Sequence, residues 1–308
     1  MKALLFPGQG SQAVGMGLEF YKNFETAKRI FSEADDSLNF KISKIILEGP
    51  EDKLKLTQNT QPAILTVSCA IYNVLKKDFN LKLNDFKYYA GHSLGEYSAL
   101  VCSGSLKFKD ALYLLHERGK AMQEAVPIGK GAMLAILGSE VDDINKFISQ
   151  INNKGVCEVA NDNANGQTIV SGNVESISSL QSILKENKRK AILLPVSAPF
   201  HCSLMKTAAD KMSKKIQPIN FGNLNFKIIS NVTALPENNP EKIKKLLVEQ
   251  IYTKVRWRES IINMSNDDVS DFIEIGPGKV LSGLVKRIIK ESKATSINSV
   301  EDIKNNIK

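Results

Sequence analysis

One pentapeptide constrains this chain more than any other stretch: Gly91-His-Ser93-Leu-Gly95. A Gly-x-Ser-x-Gly run fits a nucleophile elbow, a sharp turn from a strand into a helix that presents a serine Oγ at its tip. The flanking glycines are needed because the turn is tight and a side chain at either one would collide with its neighbours. The surroundings agree. Residues 86–90 form a short apolar, aromatic run suited to a buried strand, and residues 96–101 open an amphipathic helix. Glu96, in the first turn of that helix, suits the positive end of the helix dipole. An elbow of this kind calls for an α/β fold with a sheet at its centre.

A serine near its ordinary pKa is a poor nucleophile and needs a base within hydrogen-bond reach. The chain offers His92, His116 and His201. His92 adjoins the serine and directs its side chain away from it. His116 falls inside an expected helix over residues 108–125, as a surface or packing residue. His201 lies on a loop, in Ala198-Pro-Phe-His201, and is favoured by elimination. No acidic residue stands out to orient it, and the chain contains no Asp-Gly pair. The base is therefore expected to be held by something other than a carboxylate, such as a backbone carbonyl. Arg118, on the same helix as His116, reads from the residues alone as a solvated arginine. The loop Pro7-Gly-Gln9-Gly-Ser-Gln12 follows an apolar strand over residues 2–6. It reads equally as a plain glycine turn or as a loop turning backbone N–H groups onto an anion.

The other expected elements are a helix over residues 17–37, a helical turn over 42–47, and a long apolar helix to residue 77. Thr57 to Thr60 is expected to cap that long helix, with Pro62 in its first turn. Residues 131–196 alternate differently: strand 131–137, helix 141–151, strand 157–161, turn 162–166, strand 167–171, helix 174–186, strand 190–196. This β-α-β-β-α-β order is the ferredoxin-like split unit. The domain expectation is a discontinuous large domain, 1–126 with 198–308, and a small domain, 127–197, inserted in it. Beyond residue 289 the chain is polar and is expected to fray.

The 308 residues can bury a full core, and 43% hydrophobic with 24% charged residues is the make-up of a soluble globule. Lys and Arg number 41 against 33 Asp and Glu, a net +8 without an arginine-rich arm. Nucleic acid is therefore not expected as a partner, whereas acidic partners are. The four cysteines form no Cys-x-x-Cys pair and, with three histidines, no zinc pattern, so no metal is expected. Free thiols suit a cytoplasmic chain. No apolar stretch is long enough for a membrane span.

Taken together the motifs resemble the malonyl-CoA:acyl carrier protein transacylase family of type II fatty acid synthesis. The resemblance is carried by Phe6-Pro-Gly-Gln-Gly-Ser-Gln12, Gln61-Pro-Ala63, Gly91-His-Ser-Leu-Gly-Glu-Tyr-Ser-Ala99 and Arg118-Gly-Lys-Ala-Met-Gln123. Farther on come Ala198-Pro-Phe-His201, Ser230-Asn231, Gln250 with Val255-Arg-Trp257, and Glu274-Ile-Gly-Pro-Gly278. It covers nearly the whole chain, and the order and spacing are specific. It implies an α/β-hydrolase-like large domain with a ferredoxin-like insert. It implies Ser93 as the nucleophile carrying a malonyl ester and His201 as general base and acid. The backbone N–H groups of Gln9 and Leu94 would form the oxyanion hole. Arg118 would bind the malonyl carboxylate, and the backbone carbonyl of Gln250 would orient His201. One departure is Lys254, where family members often carry a proline before Val-Arg-Trp.

The implied reaction is ping-pong acyl transfer from malonyl-CoA to the phosphopantetheine thiol of acyl carrier protein, by a monomer without a bound cofactor. Phe200 would crowd a substituent on the acyl α-carbon. Two basic clusters, Lys188-Arg189-Lys190 and Lys286-Arg287, are candidates for docking the acidic carrier protein. The alternatives are a discrete acyltransferase serving a polyketide synthase, a serine thioesterase or lipase on the same elbow, and a non-catalytic scaffold. An arginine inside the pocket would separate malonyl transfer from the second, since its charge suits a dicarboxylic acyl group, whereas the first uses the same acyl group and the same catalytic residues. Intact Ser93, His201 and Arg118 argue against the third.

Overall fold

The computed structural model describes residues 1–152, 155–196 and 198–306. Among them two sheets form. The larger runs β10-β9-β1-β2-β7-β8, built from β1 (Lys2–Phe6), β2 (Phe86–Gly91), β7 (Lys227–Ile229), β8 (Pro236–Glu237), β9 (Asp271–Ile275) and β10 (Lys293–Ile297). All its pairings are parallel except β7 with β8. A parallel sheet needs cover on both faces, and the strands read accordingly as nearly continuous apolar runs. The two-residue side-chain period sorts them. Leu4, Phe6, Tyr89, Ile273 and Ile275 join one core cluster. Ala3, Leu5, Tyr88, Ala90 and Phe272 join the other. The first face is covered by the helices Glu25–Leu38, Thr57–Lys77 and Phe108–Glu124, the second by Trp257–Asn266 and Val280–Ile288.

The smaller sheet runs β4-β5-β3-β6 and is antiparallel. Its strands are β3 (Gly131–Leu137), β4 (Cys157–Ala164), β5 (Gln167–Asn173) and β6 (Lys190–Leu193). Helices Val141–Ile148 and Val174–Glu186 cover one face, against Ala132, Leu134 and Ile136. The alternate residues Met133, Ala160 and Ile169 face the main body. The chain leaves the large sheet after β2 and regains it at β7. Ser197, where the domain boundary is expected, lies outside the described residues, as do Ile307 and Lys308 at the C-terminus.

Several expectations need correction. The helix expected over residues 17–37 is two helices, Leu18–Asn23 and Glu25–Leu38, because Phe24 is extended at φ −129°. Its ring instead packs against Phe20 and Phe79. The long helix starts at Thr57, so Pro62 lies inside it and not in its first turn. Pro62 supplies no N–H for the carbonyl of Gln58. His116 Nδ1 donates to that carbonyl instead, at 2.9 Å. The turn expected at 162–166 is largely strand. β4 runs to Ala164, with irregular register near Asn161 and Asp162, and the hairpin closes through Asn165 and Gly166. β6 stops at Leu193, short of residue 196. The polar tail is regular as far as residue 306: β10 adds an edge strand to β9 and helix Val300–Asn306 follows it. No helix of the described residues is long and apolar enough to cross a membrane.

Candidate active site

Strand register assembles the site. β1 and β2 are parallel neighbours whose last residues pair, Phe6 with Gly91, and Ala90 pairs with Ile229 of β7. The loops leaving the carboxyl ends of these three strands therefore lie side by side, the usual place for a site in such a sheet. They carry Gln9, Ser93 and Asn231.

The elbow is as tight as its glycines require. A Cβ on Gly91 would lie 1.9 Å from the carbonyl carbon of Gly95, and one on Gly95 would lie 2.2 Å from the carbonyl oxygen of Phe6. Ser93 sits at φ +54°, a left-handed conformation costly for a non-glycine residue. Asn231 holds it there. Asn231 Oδ1 accepts from the Ser93 N–H at 2.7 Å, and its Nδ2 donates to the Gly91 carbonyl at 2.8 Å.

Ser93 Oγ and His201 Nε2 are 2.8 Å apart, and His201 Nδ1 is 2.8 Å from the backbone carbonyl of Gln250. A carbonyl only accepts, so Nδ1 carries the hydrogen and Nε2 turns its lone pair to the serine hydroxyl. Burial, reinforced by the charge of Arg118, lowers the His201 pKa to about 3, against the pull of the Gln250 carbonyl. The imidazole is thus neutral at physiological pH, with its Nε2 lone pair directed at the serine hydroxyl. The His201 loop is moored to the small sheet: Glu158 of β4 accepts from Ser203 N at 2.8 Å and Ser203 Oγ at 2.6 Å.

Arg118 is not a solvated arginine. It is 1% exposed, and its Nη1 donates to Gln61 Oε1 at 2.7 Å. Its Nη2 donates to Gln250 Oε1 at 2.9 Å and to Ser93 Oγ at 3.1 Å. Nε–H has no partner among the described residues. Burial lowers its pKa from the ordinary arginine value, yet a guanidinium stays protonated. A buried cation with an open donor is suited to an anionic ligand.

A cavity of about 420 Å³ opens over this group. Ser93, Arg118, His201, Phe200 and Gln9 line it, and Met133, Ile169 and Leu194 of the small layer form its apolar wall. The N–H groups of Gln9 and Leu94 have no partner within the described residues. His92 turns away from the serine to hydrogen-bond Asn163 Oδ1 at 2.8 Å, as expected of it. Neither basic cluster lines the cavity. Lys188, Arg189 and Lys190 are exposed at the start of β6, whose chain runs on into the cavity wall at Leu194. Lys286 and Arg287 are exposed on helix Val280–Ile288, where Arg287 bonds Gln167 at 2.7 Å. Lys254 stands in the loop that leads to Val255 and Arg256. That loop is held by Val255 N to Ala160 O at 2.8 Å and Arg256 N to Asn231 O at 2.9 Å. Among the described residues, no group of three His, Cys, Asp or Glu side chains could hold a metal ion.

Sequence reasoning assigned no role to Gln61, to Asn231 or to the side chain of Gln250, although each stands in a motif it singled out. It read Glu96 as a helix-dipole anion, whereas the carboxyl is buried and bonded to Gln250 and Asn231. Each of these contacts spans a large sequence separation and leaves no local pattern.

A family model described as an acyl transferase domain matches residues 3–308. The chain is 45% identical over 303 residues to the malonyl CoA-acyl carrier protein transacylase of Bacillus subtilis, covering 98% of this chain and 94% of that one. The solved acyl-carrier-protein-S-malonyltransferase from Bartonella henselae has a TM-score of 0.96 at 42% identity, covering 99% of this chain and 97% of that one. A malonyl-transacylase solved in complex with a type II PKS acyl-carrier protein has a TM-score of 0.95 at 39% identity, with 99% of each chain covered.

Proposed function

Because the chain belongs to the acyl transferase domain family, and its relatives are malonyl CoA-acyl carrier protein transacylases over nearly their whole length, we propose that it transfers malonyl through Ser93. The observation that carries this reading is the hydrogen-bonded line Ser93 Oγ, His201, Gln250 O, with Arg118 beside it. Malonyl-CoA enters the cavity with its free carboxylate at Arg118. Ser93 Oγ attacks the thioester carbon while its proton passes to His201 Nε2. Charge collects on the thioester oxygen, which the N–H groups of Gln9 and Leu94 receive. Collapse breaks the C–S bond, and His201 returns the proton to the CoA sulfur. Malonyl-Ser93 remains. The phosphopantetheine thiol of acyl carrier protein then gives its proton to His201 and attacks the ester. The proton finally returns to Ser93 Oγ. The chain's own groups suffice for every step, without a bound cofactor.

The same reading takes the six-stranded sheet as α/β-hydrolase-like and the β-α-β-β-α-β segment, 127–197, as an inserted ferredoxin-like domain; the strand order β4-β5-β3-β6 supports it. It takes the enzyme as a cytoplasmic monomer in fatty acid synthesis. A hydrolase reading has against it the buried Arg118, which suits a carboxylate better than a fatty chain. A polyketide reading has one observation in its favour, the solved relative bound to a type II PKS carrier protein. Incubation with malonyl-CoA followed by intact-mass analysis tests the central claim. The expected result is one malonyl group on Ser93, discharged by added carrier protein. Discharge by water at the same rate would make it a hydrolase. Rates with fatty acid and polyketide carrier proteins separate the two pathways.

A further inference from the structure

Glu96 stands three residues after Ser93, in the first turn of helix Gly95–Cys102, and is 1% exposed. A carboxylate buried so deeply is costly unless its oxygens find donors. Glu96 Oε2 accepts from Gln250 Nε2 at 2.8 Å and from the Asn231 N–H at 3.1 Å. The transfer steps do not use this carboxyl, yet it lies one hydrogen bond from the residue that touches both His201 and Arg118.

Gln250 is a connector with two unlike ends. Its Nε2 donates to Glu96 Oε2, to the Ser93 carbonyl at 3.1 Å and to Asn231 Oδ1 at 3.3 Å. Its Oε1 accepts from Arg118 Nη2. An amide flip would set oxygen against a carboxylate and a carbonyl, and NH₂ against a guanidinium that has only donors. Of the three acceptors that hold the donor end, Glu96 is the one that can ionise and the nearest. A charge-assisted hydrogen bond is roughly twice as strong as a neutral one. In its ionised form, above about pH 7, Glu96 makes with Arg118 an ion pair with one amide between them.

We propose that Glu96 is a positioning residue for the acyl-carboxylate subsite. Its carboxylate sets the polarity of the Gln250 amide, and through it holds the Arg118 guanidinium in the orientation that receives the malonyl carboxylate. This rests on the reading of Arg118 given above and adds the group that keeps it in place. Gln at position 96 would keep the size but lose the instruction, since it offers an oxygen and an NH₂ with equal ease.

The test compares Glu96→Gln, Gln250→Ala and the double variant with wild type, in transfer of malonyl and of acetyl from their CoA thioesters to holo carrier protein. Thermal unfolding of each variant checks the fold. Glu96→Gln should raise KM for malonyl-CoA roughly tenfold, the worth of one charge-assisted hydrogen bond. It should lower kcat less, and reduce the malonyl-to-acetyl ratio of kcat/KM. Gln250→Ala keeps its backbone carbonyl and should reduce the same ratio, with the double variant no worse than Gln250→Ala alone. If Glu96→Gln unfolds at the assay temperature, Glu96→Asp should show a smaller fall in the same ratio. An equal loss of kcat for both acyl groups, with KM and the ratio unchanged, would mean that Glu96 merely supports the fold and would overturn the proposal. Arg118→Ala, run alongside, separates the two levels. If it collapses the ratio and Glu96→Gln does not, the positioning role fails alone. If it leaves the ratio intact, the reading of Arg118 fails with it.

Discussion

Arg118 donates from Nη2 directly to Ser93 Oγ, 3.1 Å away. The buried charge and the hydroxyl therefore share one small space. A malonyl group esterified to the serine would carry its free carboxylate back toward the same guanidinium. Arg118→Ala should lower kcat/KM for malonyl-CoA by roughly 10²- to 10⁴-fold and narrow or invert the malonyl-over-acetyl preference. Arg118→Lys should recover little, because one ammonium cannot replace a planar fork spanning Gln61, Gln250 and Ser93. Steady-state kinetics with both thioesters decides. An Arg118→Ala enzyme with the wild-type ratio would show that another group reads the carboxylate.

Ser93 Oγ and His201 Nε2 are hydrogen-bonded, and as the proposed nucleophile and base their losses should not add. Ser93→Ala should abolish the covalent intermediate, and His201→Ala should lower kcat by on the order of 10³-fold or more. The double variant should be no slower than the worse single one. Circular dichroism should show the fold intact in each. Near-normal turnover by His201→Ala would remove it from the base role.

His201 and Glu96 pull stability in opposite directions with pH. The pKa of folded His201, near 3, lies below its ordinary 6.5, mainly through burial. Between these values the unfolded chain takes up a proton that the folded one refuses. This contribution is therefore fully present above pH 6.5 and is lost as pH falls through about 3. Burial raises folded Glu96 from 4.5 to about 7. Its contribution is fully present below pH 4.5 and is lost as pH rises through about 7. On acidification from pH 6.5 to 4.5, His201→Ala should gain about 2 kcal/mol relative to wild type, and Glu96→Gln should lose a similar amount. Urea denaturation at the two pH values measures both. Parallel pH dependence in all three proteins would contradict the assignment.

Phe200 lines the cavity one residue before His201. Phe200→Ser should admit a methyl branch on the acyl α-carbon and raise methylmalonyl transfer relative to malonyl. The gain should be modest, because discrimination on one methyl group is worth about 1–3 kcal/mol. Competition between the two thioesters gives the ratio, and an unchanged ratio would place the α-carbon away from this ring.

Of the two basic clusters, Lys188-Arg189-Lys190 leads into the strand that continues to the cavity wall. Charge reversal there should raise KM for carrier protein, leave KM for malonyl-CoA alone, and do so less at high salt. The same change at Lys286 and Arg287 should have a smaller effect. Unaltered KM in both variants would put the docking surface elsewhere.

The elbow was legible in the sequence because tight turns depend on glycine, and Gly91 and Gly95 sit where no Cβ fits. The strand and helix beside it were legible for the same local reason. The segment Asp162 to Ala164 was misread because its polar residues resemble a turn. In the fold Asp162 pairs with Arg258 and Asn163 with His92, so polarity there serves contacts with the large layer. β10 escaped notice because it is an edge strand, and its residues Lys293, Thr295 and Ser296 need no apolar run. Arg118 shows the deepest limit. Its helical neighbours Leu114, Leu115, Ala121 and Met122 place it on the buried stripe, a periodicity that reading it as a lone arginine overlooks. Its partners, Gln61, Ser93 and Gln250, are brought to it only by the packed sheet and helices.

The mooring of Ser203 to Glu158 has a consequence for protein engineering. Ser93 rides on the large sheet, while the loop that carries His201 is tied to a strand of the small one. The segment over residues 127–197 is thus no interchangeable cassette. A chimera that imports this segment from a relative must also import a carboxylate matched to Ser203. Without it, the loop of a correctly folded hybrid would lose both hydrogen bonds at Ser203, leaving the Gln250 carbonyl alone to aim the imidazole.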